Sequence, residues 1–347
     1  MADPLIGEGP TVVSRLARLY SPLIQRSRLG WGAVYHSSNT AFSFAAIRAA
    51  FGPGVRNQIL EQMREHDPDV VLSVHPLLNH MAFQAIAASG RGRALMTVIT
   101  DLVEFHRGWA FPRADLVVVP TEEARSACIR RRVPPDRIHL LGLPVDLRFR
   151  PAAVGEKEAL RRRFGLHQDR FTVLLSGGGE GSGKLIQQAR ALAWRERPWQ
   201  VIAVCGRNDK LRRRLGRLRF GSATLVLGFV DDMPDVMRAA DVVVSKAGPG
   251  AIAEALATGL PLVLTGYLPG QETENVTFVT DHGIGAYAPK PDELLEAVSD
   301  LADPASGTWD RMVARAGEIA RPYASLDIAR ECLELAVRYS AASQRSR

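Results

Sequence analysis

Short apolar runs alternate with helical patterns along most of this 347-residue chain, and this alternation restricts the possible folds more than any other feature. The runs lie at residues 70–74, 94–100 and 116–120 in the first half, and at 171–176, 200–205, 224–228, 241–245 and 261–265 in the second. Such alternation is typical of βα units that build parallel sheets. The sequence therefore predicts an α/β fold, and the more regular second set of runs predicts a doubly wound domain.

A polar stretch at residues 142–165, which contains Pro144 and Pro151, separates the two sets of runs and has the composition of a linker. The chain is long enough for two α/β domains of ordinary size. We expect a first domain over residues 1–145 and a second over 146–323. A closing helix with a tail is expected over 324–347, where apolar residues recur at helical spacing.

The chain is basic, with a formal net charge of +7, and its arginines and lysines cluster at residues 130–132, 161–163 and 210–219. Such clusters attract anionic lipid or nucleic acid, or they form an ordinary solvated helix face. Aromatic residues do not alternate with these arginines, so nucleic acid is not an expected partner. An anionic membrane surface is the specific partner that the charge favours.

No apolar stretch is long enough to cross a bilayer, and residues 1–10 contain two acidic residues and no apolar core of a signal peptide. The three cysteines are far apart and match neither a metal site nor a redox motif. These features predict a cytoplasmic protein with reduced thiols and no bound metal.

The first glycine motif, SGGGEGSGK at 176–184, joins a predicted strand to a predicted helix. Gly178 and Gly179 allow a tight turn and a close approach of the backbone to a ligand, and the helix N-terminus that follows favours an anion. The motif also fits the start of a P-loop, but Leu185 stands where a magnesium-binding Ser or Thr is required. A nucleotide-triphosphatase is therefore excluded, whereas a simple tight turn stays possible.

The second glycine motif, SKAGPGAIAEALATGLP at 245–261, is more specific. A buried strand leads into Gly248, and the helix that follows presents the backbone N–H groups of Gly250 and Ala251, which suit a diphosphate. Glu254 lies one turn further on, where a carboxylate can accept hydrogen bonds from both hydroxyls of a ribose. The alternative is that Glu254 is a solvent-facing helix residue.

Phe229 and Val230 follow another predicted strand, in the sequence GFVDDM at 228–233. A loop at a strand end can place an apolar side chain and backbone groups against a flat base such as uracil. On its own this pattern is equally consistent with a phenylalanine in the core.

Amide and carboxylate groups cluster at Gln271, Glu272 and Asn275, in the loop that begins with Pro269-Gly270. Groups of this kind hydrogen-bond to sugar hydroxyls. The same residues could instead cap the next helix.

These four motifs, in this order, resemble glycosyltransferase family 28, and in particular its branch of monogalactosyldiacylglycerol synthases and diacylglycerol glucosyltransferases. The resemblance is carried by residues 247–275, AGPGAIAEALATGLPLVLTGYLPGQETEN, and in the first half by VVLSVHPLLNHM at 70–81 and TVITDLVEFHRGW at 97–109. It extends over about residues 15–297.

The resemblance implies a GT-B architecture, in which two Rossmann-like domains face each other across a cleft. It implies that the second domain binds a UDP-sugar as co-substrate, with Gly248–Ala251 on the diphosphate, Glu254 on the ribose, and Phe229 and Val230 beside the uracil. Gln271, Glu272 and Asn275 would face the donor sugar. Family members invert the anomeric carbon and need no metal or other cofactor.

Family members begin with a strand and a GGGH loop whose histidine is the favoured base, and no such loop occurs in this sequence. We therefore expect the first domain to be incomplete at its start. His75 and Asp101, which follow predicted strands, are the tentative base candidates, and His80 and His106 are further ones. The alternatives are that His75 orders its loop and that Asp101 caps a turn.

The leading hypothesis is an enzyme at the inner face of the cell membrane that transfers galactose or glucose from UDP to diacylglycerol. A second hypothesis keeps the donor site and changes the acceptor, with N-acetylglucosamine transferred to a lipid-linked peptidoglycan precursor. A third is a degenerate protein that binds a UDP-sugar without transferring it, which the missing GGGH loop would explain.

Overall fold

The computed structural model describes residue 32 and residues 35–179, 181 and 184–345, and it divides into two compact units. The first unit comprises the described residues of Met1–Pro144, Leu268–Gln271 and Ala324–Arg347, and the second comprises those of Val145–Tyr267 and Glu272–Tyr323. Residues 1–31, to which the start of the family resemblance extends, lie outside the described part of the chain. Each unit is described by itself.

The first unit contains a four-stranded parallel sheet in the order β1-β2-β3-β4. The strands are β1 Val70–Ser73, β2 Ala94–Val98, β3 Leu116–Val119 and β4 Ile138–Leu140, and the helices between and before them are α1 Ala41–His66, α2 Asn79–Ala88 and α3 Glu122–Arg130. Every residue of β2 and β3 is buried, as expected for central strands covered on both faces. The three apolar runs predicted for this half are thus strands, and the additional β4 was not predicted.

Capping residues explain both ends of helix α1. The Thr40 side chain accepts a hydrogen bond of 3.1 Å from the amide of Ser43, which caps the N-terminus. The helix ends at Asp67, whose backbone is left-handed at φ 40°, and Pro68 follows. Two arginines, Arg91 and Arg93, pair with the Asp67 carboxylate, and this fixes the entry into β1.

The C-terminal helix α12, Ala324–Arg345, packs against β1 and β2 of the first unit. Ile328 and Leu335 are buried in a cluster with Ala94, Met96, Val98, Leu116 and Val118, and the Tyr339 hydroxyl hydrogen-bonds to the Asp115 carboxylate. The end of the chain therefore closes one face of the first sheet.

The second unit contains a six-stranded parallel sheet in the order β10-β9-β8-β5-β6-β7. The strands are β5 Phe171–Ser176, β6 Trp199–Val204, β7 Thr224–Leu227, β8 Val242–Ser245, β9 Leu262–Leu264 and β10 Gly285–Tyr287. The helices are α4 Glu156–Arg163, α5 Leu185–Ala193, α6 Asp209–Gly216, α7 Met233–Ala239, α8 Pro249–Thr258, α9 Thr273–Asp281, α10 Pro291–Ala302 and α11 Thr308–Ile319. The five runs predicted for this half are strands, and β10 was missed.

The order of these strands creates a topological switch point between β5 and β8. The two strands are direct neighbours, with Leu175 paired to Val244, although the chain passes through β6 and β7 between them. From β5 the chain proceeds to one edge of the sheet, and from β8 it proceeds to the other. The loops that follow β5 and β8 therefore diverge and leave a crevice at the carboxyl ends of the strands, the usual position of ligands in such sheets.

Of the three arginines at 161–163, Arg161 does not belong to the solvated cluster that the sequence suggested, whereas Arg162 and Arg163 are exposed. Arg161 is 5% exposed, and its guanidinium donates to the Asp241 carboxylate at 2.5 Å and to the Ala239 carbonyl at 2.9 Å. Lys157 donates to the same carboxylate at 2.7 Å. This buried network anchors α4 to the start of β8, so Arg161 is a structural residue.

The other two clusters differ from each other. Arg130 and Arg131 share the Glu104 carboxylate, at 2.6 and 2.9 Å. Around α6, in contrast, the basic side chains are exposed, and they comprise Lys210, Arg212, Arg213, Arg214, Arg217 and Arg219. In the part of the chain that the structure describes, no helix is long and apolar enough to cross a membrane.

Candidate functional site

The N-terminus of α8 lies at the switch point and carries amide groups without intrahelical acceptors. Gly248 is the N-cap residue and has no side chain to cap the helix, and Pro249 follows at the first helical position. Gly250 and Ala251 are among the first residues of a helix, whose N–H groups have no partner within the helix. A Cβ atom at Gly250 would meet no atom within 4 Å, so the backbone there is open to a ligand. This end of α8 therefore has the features that favour an anion.

Asn275 holds the turn that precedes this helix. Its side-chain amide donates a hydrogen bond of 2.9 Å to the carbonyl oxygen of Ala247, and Asn275 is only 2% exposed. The Ala247 amide in turn donates to the Gly266 carbonyl at 2.8 Å. Asn275 therefore stabilises the turn that precedes α8. Its predicted contact with a sugar stays a prediction.

Lys246 and Glu272 form an ion pair beside the N-cap, with Nζ 2.5 Å from Oε1. Glu272 is 3% exposed, whereas the Lys246 side chain is 37% exposed. A Cβ atom at Gly248 would lie 3.5 Å from Lys246 Nζ and 3.6 Å from Glu272 Oε1. Both charges thus lie directly at the N-terminus of α8, and the ammonium is the more accessible of the two.

Glu254 lies on α8, one turn after Gly250, and is partly buried. Burial raises the pKa of its carboxyl group to about 7. Within the described residues no donor pairs with this carboxylate. A partly buried carboxyl group without a partner, placed one turn from an open helix N-terminus, is a candidate for binding hydroxyl groups of a ligand. Glu254 is thus partly shielded from solvent, and its contact with a ribose stays a prediction.

The glycine-rich loop after β5 is held by backbone contacts to the turn after β6. Gly178 has a left-handed φ of 70°, and the carbonyl of Gly179 accepts a hydrogen bond of 2.8 Å from the amide of Arg207. A Cβ atom at Gly206 would lie 2.4 Å from the carbonyl oxygens of both Gly178 and Gly179. Glu180, Ser182 and Gly183 of the motif lie outside the described residues. The loop therefore borders the crevice on its β5 side.

Phe229 is not a core residue, because it is 51% exposed at the end of β7. The Arg207 guanidinium lies over its ring, 4.3 Å from the ring centroid, and Val230 beside it is half-buried. Arg207 also lies beside the glycine-rich loop, with one guanidinium nitrogen 3.7 Å from the position that a Cβ atom would take on Gly179. Arg207 was not predicted as a site residue, because no local sequence pattern indicates its stacking on Phe229.

Asp101, in the first unit, is 7% exposed, and its contacts include hydrogen bonds from Trp109 and Gln271. The indole N–H of Trp109 donates to Oδ2 at 2.8 Å, and the side-chain amide of Gln271 donates to Oδ1 at 3.3 Å. The side-chain oxygen of Gln271 is buried and has no hydrogen-bond partner among the described residues. Asp101 therefore fixes the orientation of the Gln271 amide group. The side-chain oxygen of Gln271 is left to accept a hydrogen bond from a hydroxyl group.

Asn79 stabilises the loop that carries these residues, and the sequence analysis missed it. Its side-chain amide donates to the Gly108 carbonyl at 2.8 Å, and its oxygen accepts from the Thr97 hydroxyl at 3.1 Å. Gly108 is required there, because a Cβ atom would lie 2.3 Å from the carbonyl oxygen of Pro76.

The histidine candidates of this unit are occupied by local contacts. His75 Nδ1 accepts a hydrogen bond of 3.3 Å from the amide of Leu77, and this orders the loop. His80 packs against Phe44 and Phe111, and burial, with a smaller effect of Arg48, lowers the pKa of its imidazole to about 4. Burial also lowers the pKa of His106. The role of Asp101 or His75 as the base stays a prediction.

A cavity of about 450 Å³ lies in the first unit. It is lined by arginines together with apolar residues and a histidine, namely Ala41, Phe44, Arg48, His80, Arg107, Ala110, Arg130, Arg131 and Arg132.

The chain has two α/β units with parallel sheets, and the second has an open helix N-terminus at its switch point; this is the GT-B class of fold. The fold is similar to that of MurG from Acinetobacter baumannii, with a TM-score of 0.60 and 16% identity. The match covers 82% of this chain and 80% of that one. The model "Monogalactosyldiacylglycerol (MGDG) synthase" matches residues 3–145, and "Glycosyltransferase family 28 C-terminal domain" matches residues 172–318. The chain belongs to the monogalactosyldiacylglycerol synthase family.

Individual relatives agree with this assignment. The chain is 32% identical over 329 residues to a probable monogalactosyldiacylglycerol synthase 2 from Oryza sativa subsp. japonica, covering 92% of this chain and 70% of the relative. It is 33% identical to monogalactosyldiacylglycerol synthase 1 from Arabidopsis thaliana, covering 94% of this chain and 62% of the relative. The chain therefore spans less than two thirds of that relative's length. The calicheamicin glycosyltransferase CalG4 is a further structural neighbour, with a TM-score of 0.57, 16% identity and coverage of 86% and 83%.

Proposed function

We propose that this chain transfers a hexose, galactose or glucose, from a UDP-sugar to diacylglycerol, with inversion at the anomeric carbon. The observation that carries the proposal is the open N-terminus of α8 at the switch point, one turn from the partly buried and unpaired Glu254. The relatives named as monogalactosyldiacylglycerol synthases support diacylglycerol as the acceptor.

The donor side of the proposal is built from the second unit. The amide groups of Gly250 and Ala251 bind the diphosphate, and Glu254 accepts hydrogen bonds from the ribose hydroxyls. Phe229 and Val230 border the uracil. A structural neighbour, HepE from Anabaena, was solved in complex with UDP and shares this fold, with a TM-score of 0.53 and 17% identity.

The proposed chemistry is a single displacement in which UDP leaves as negative charge develops on its terminal phosphate oxygen. Amide groups already aimed at that position stabilise the charge without reorganising. We propose that this helix N-terminus stabilises the leaving UDP without a metal ion or other cofactor. Transfer that persists at full rate after treatment with EDTA supports this part of the proposal, and loss of transfer that Mg²⁺ restores contradicts it.

On the acceptor side, we propose Asp101 as the base that takes the proton of the attacking hydroxyl. Asp101 follows β2 at the carboxyl edge of the sheet, where ligands bind, and the hydrogen bonds from Trp109 and Gln271 fix the orientation of its carboxylate. His75 is the weaker candidate, because the lone pair of its Nδ1 is already directed at the amide of Leu77.

We further propose that the protein works at the inner face of the cell membrane, where a lipid acceptor is found. The exposed basic side chains around α6 and the net charge of +7 favour attraction to an anionic surface. Co-sedimentation with vesicles that contain anionic lipid, but not with neutral vesicles, is the expected result. Equal binding to both vesicle types contradicts the electrostatic part of the proposal.

The direct test uses vesicles that contain diacylglycerol and either UDP-[¹⁴C]galactose or UDP-[¹⁴C]glucose. Wild-type protein should form a labelled monoglycosyl-diacylglycerol, and Glu254→Ala should lose this activity together with UDP affinity. Labelling of a lipid-linked peptidoglycan precursor from UDP-N-acetylglucosamine, without labelling of diacylglycerol, selects the alternative acceptor. UDP binding with no transfer to any acceptor selects a protein that binds the UDP-sugar without catalysis.

A further inference from the structure

Glu272 presents an electrostatic difficulty for an anion site at the N-terminus of α8. Its carboxylate is 3% exposed, and Oε1 is 3.6 Å from the position that a Cβ atom would take on Gly248, the N-cap residue. A diphosphate bound by the amides of Gly250 and Ala251 would therefore lie close to a fixed negative charge. Because Glu272 is buried, water screens that charge weakly.

Lys246 is placed to remove this difficulty. Its Nζ is 2.5 Å from Glu272 Oε1 and 3.5 Å from the same Cβ position on Gly248. The Lys246 side chain is 37% exposed, so the ammonium is the more accessible charge of the pair. The backbone supports this position, because Lys246 follows β8 directly and the amide of Gly248 donates a hydrogen bond of 2.8 Å to its carbonyl oxygen.

We propose that Lys246 is a positioning residue that neutralises Glu272 and thereby permits a diphosphate to bind at the N-terminus of α8. Lys246 acts on the nucleotide through Glu272, and it is not itself required as a phosphate ligand. The inference rests on the proposed function, since it assumes that a nucleoside diphosphate binds there. It assigns to the Lys246–Glu272 pair the control of nucleotide affinity, in addition to any contact that Glu272 makes with a sugar.

Two models of Lys246 can be distinguished by experiment: it neutralises Glu272, or it binds the phosphate directly. Replacing Lys246 with methionine removes the ammonium that lies against the Glu272 carboxylate, beside the diphosphate. Replacing Glu272 as well, with the isosteric glutamine, removes that charge. If Lys246 works through Glu272, the second substitution restores what the first one lost.

The experiment is calorimetric titration of UDP into the full chain and into Lys246→Met, Glu272→Gln and the double variant. UDP is the probe because it carries the diphosphate without the sugar. We expect Lys246→Met to weaken UDP binding by about tenfold or more. The double variant should return to within about threefold of wild type, and Glu272→Gln alone should bind UDP at least as tightly as wild type.

A matched control is the Lys290–Glu293 pair, which has the same charges and a similar Nζ–Oε1 distance of 2.7 Å but lies on the surface, with a lysine side chain 76% exposed. Lys290→Met should leave UDP affinity unchanged. A double variant no tighter than Lys246→Met overturns the inference, and so does a Glu272→Gln variant that binds UDP more weakly than wild type. The latter variant keeps the test decisive even if Lys246→Met does not fold.

These outcomes are separable from a failure of the proposed function. If wild type binds UDP and Glu254→Ala weakens the binding, the nucleotide site stands, whatever the Lys246 variants show. If wild type does not bind UDP, the nucleotide site itself is refuted.

Discussion

The side-chain amide of Asn275 donates a 2.9 Å hydrogen bond to the carbonyl oxygen of Ala247 and so ties α9 to the turn that begins α8. Both residues are buried. This contact makes the position of the candidate anion site depend on a residue of a different helix. A site whose amides must be held in place before the ligand arrives requires such a brace.

Asn275 holds the turn and does not itself bind UDP in this account. Asn275→Ala should therefore weaken UDP binding indirectly. Removing the side chain leaves the Ala247 carbonyl unsatisfied in a buried place, at a cost of about 1–3 kcal/mol in the free energy of unfolding. Urea unfolding and UDP titration measure the two effects. Thr277→Ala, an exposed position on the same helix, is the control and should change neither quantity. Unchanged stability in Asn275→Ala would argue against the bracing role.

The Glu254 carboxyl group should make stability depend on pH. Its pKa in the folded protein is raised to about 7 from its ordinary value of 4.5, so the folded state holds the proton more tightly than the unfolded state. The corresponding stability is fully present below pH 4.5 and is lost as pH rises through about 7. The loss amounts to at most about 3 kcal/mol. Glu254→Gln should abolish this part of the pH dependence in urea unfolding between pH 5 and 8.

Ligand binding should show the opposite pH trend. Ribose hydroxyls donate hydrogen bonds to an ionised carboxylate, so UDP affinity of the wild-type protein should rise as pH increases through about 7. UDP affinity that is flat between pH 6 and 8 contradicts the ribose contact.

Gly206→Ala should displace the glycine-rich loop. Gly206 has a left-handed φ of 57°, and a Cβ atom there would lie 2.4 Å from two backbone oxygens, which cannot move aside as a flexible side chain can. We expect a loss of about 1–3 kcal/mol in stability and a clear loss of UDP affinity. Gly216→Ala is the control, because Gly216 lies in α6 and its Cβ would meet nothing within 4 Å. A Gly206→Ala variant with normal UDP affinity would show that the loop does not border the nucleotide.

Asp101→Asn should separate catalysis from donor binding. If Asp101 is the base, the variant loses about 10²–10⁴-fold in kcat while its UDP affinity stays at the wild-type value. The pH–rate profile gives a second readout, because the limb that reports ionisation of the base should disappear. A variant that retains wild-type kcat rules out Asp101 as the base and favours His75.

Much of the fold could be predicted from the sequence because the information is local. The apolar runs are strands. The two glycine motifs follow β5 and β8, which are neighbouring strands on either side of the switch point. The short β10, Gly285–Tyr287, was missed because three residues give no recognisable run.

The errors and omissions concern contacts between residues far apart in sequence. Arg161 appeared to belong to a solvated basic cluster, but Asp241, 80 residues away, pairs with it in the interior. Asn79 holds a carbonyl 29 residues away at Gly108, and no local pattern predicts this bond. Gly250 and Glu254 could be identified because helical spacing alone places them at the start and second turn of one helix.

The most direct test of the central claim is UDP titration of Ala251→Asp. An aspartate in the first turn of a helix interacts favourably with the helix dipole, so the variant should be at least as stable as wild type. Its carboxylate would nevertheless occupy the place of the diphosphate and repel it. We predict that UDP affinity falls by at least about 100-fold with no loss of thermal stability. A stable Ala251→Asp variant that binds UDP as tightly as wild type would show that the nucleotide is bound elsewhere.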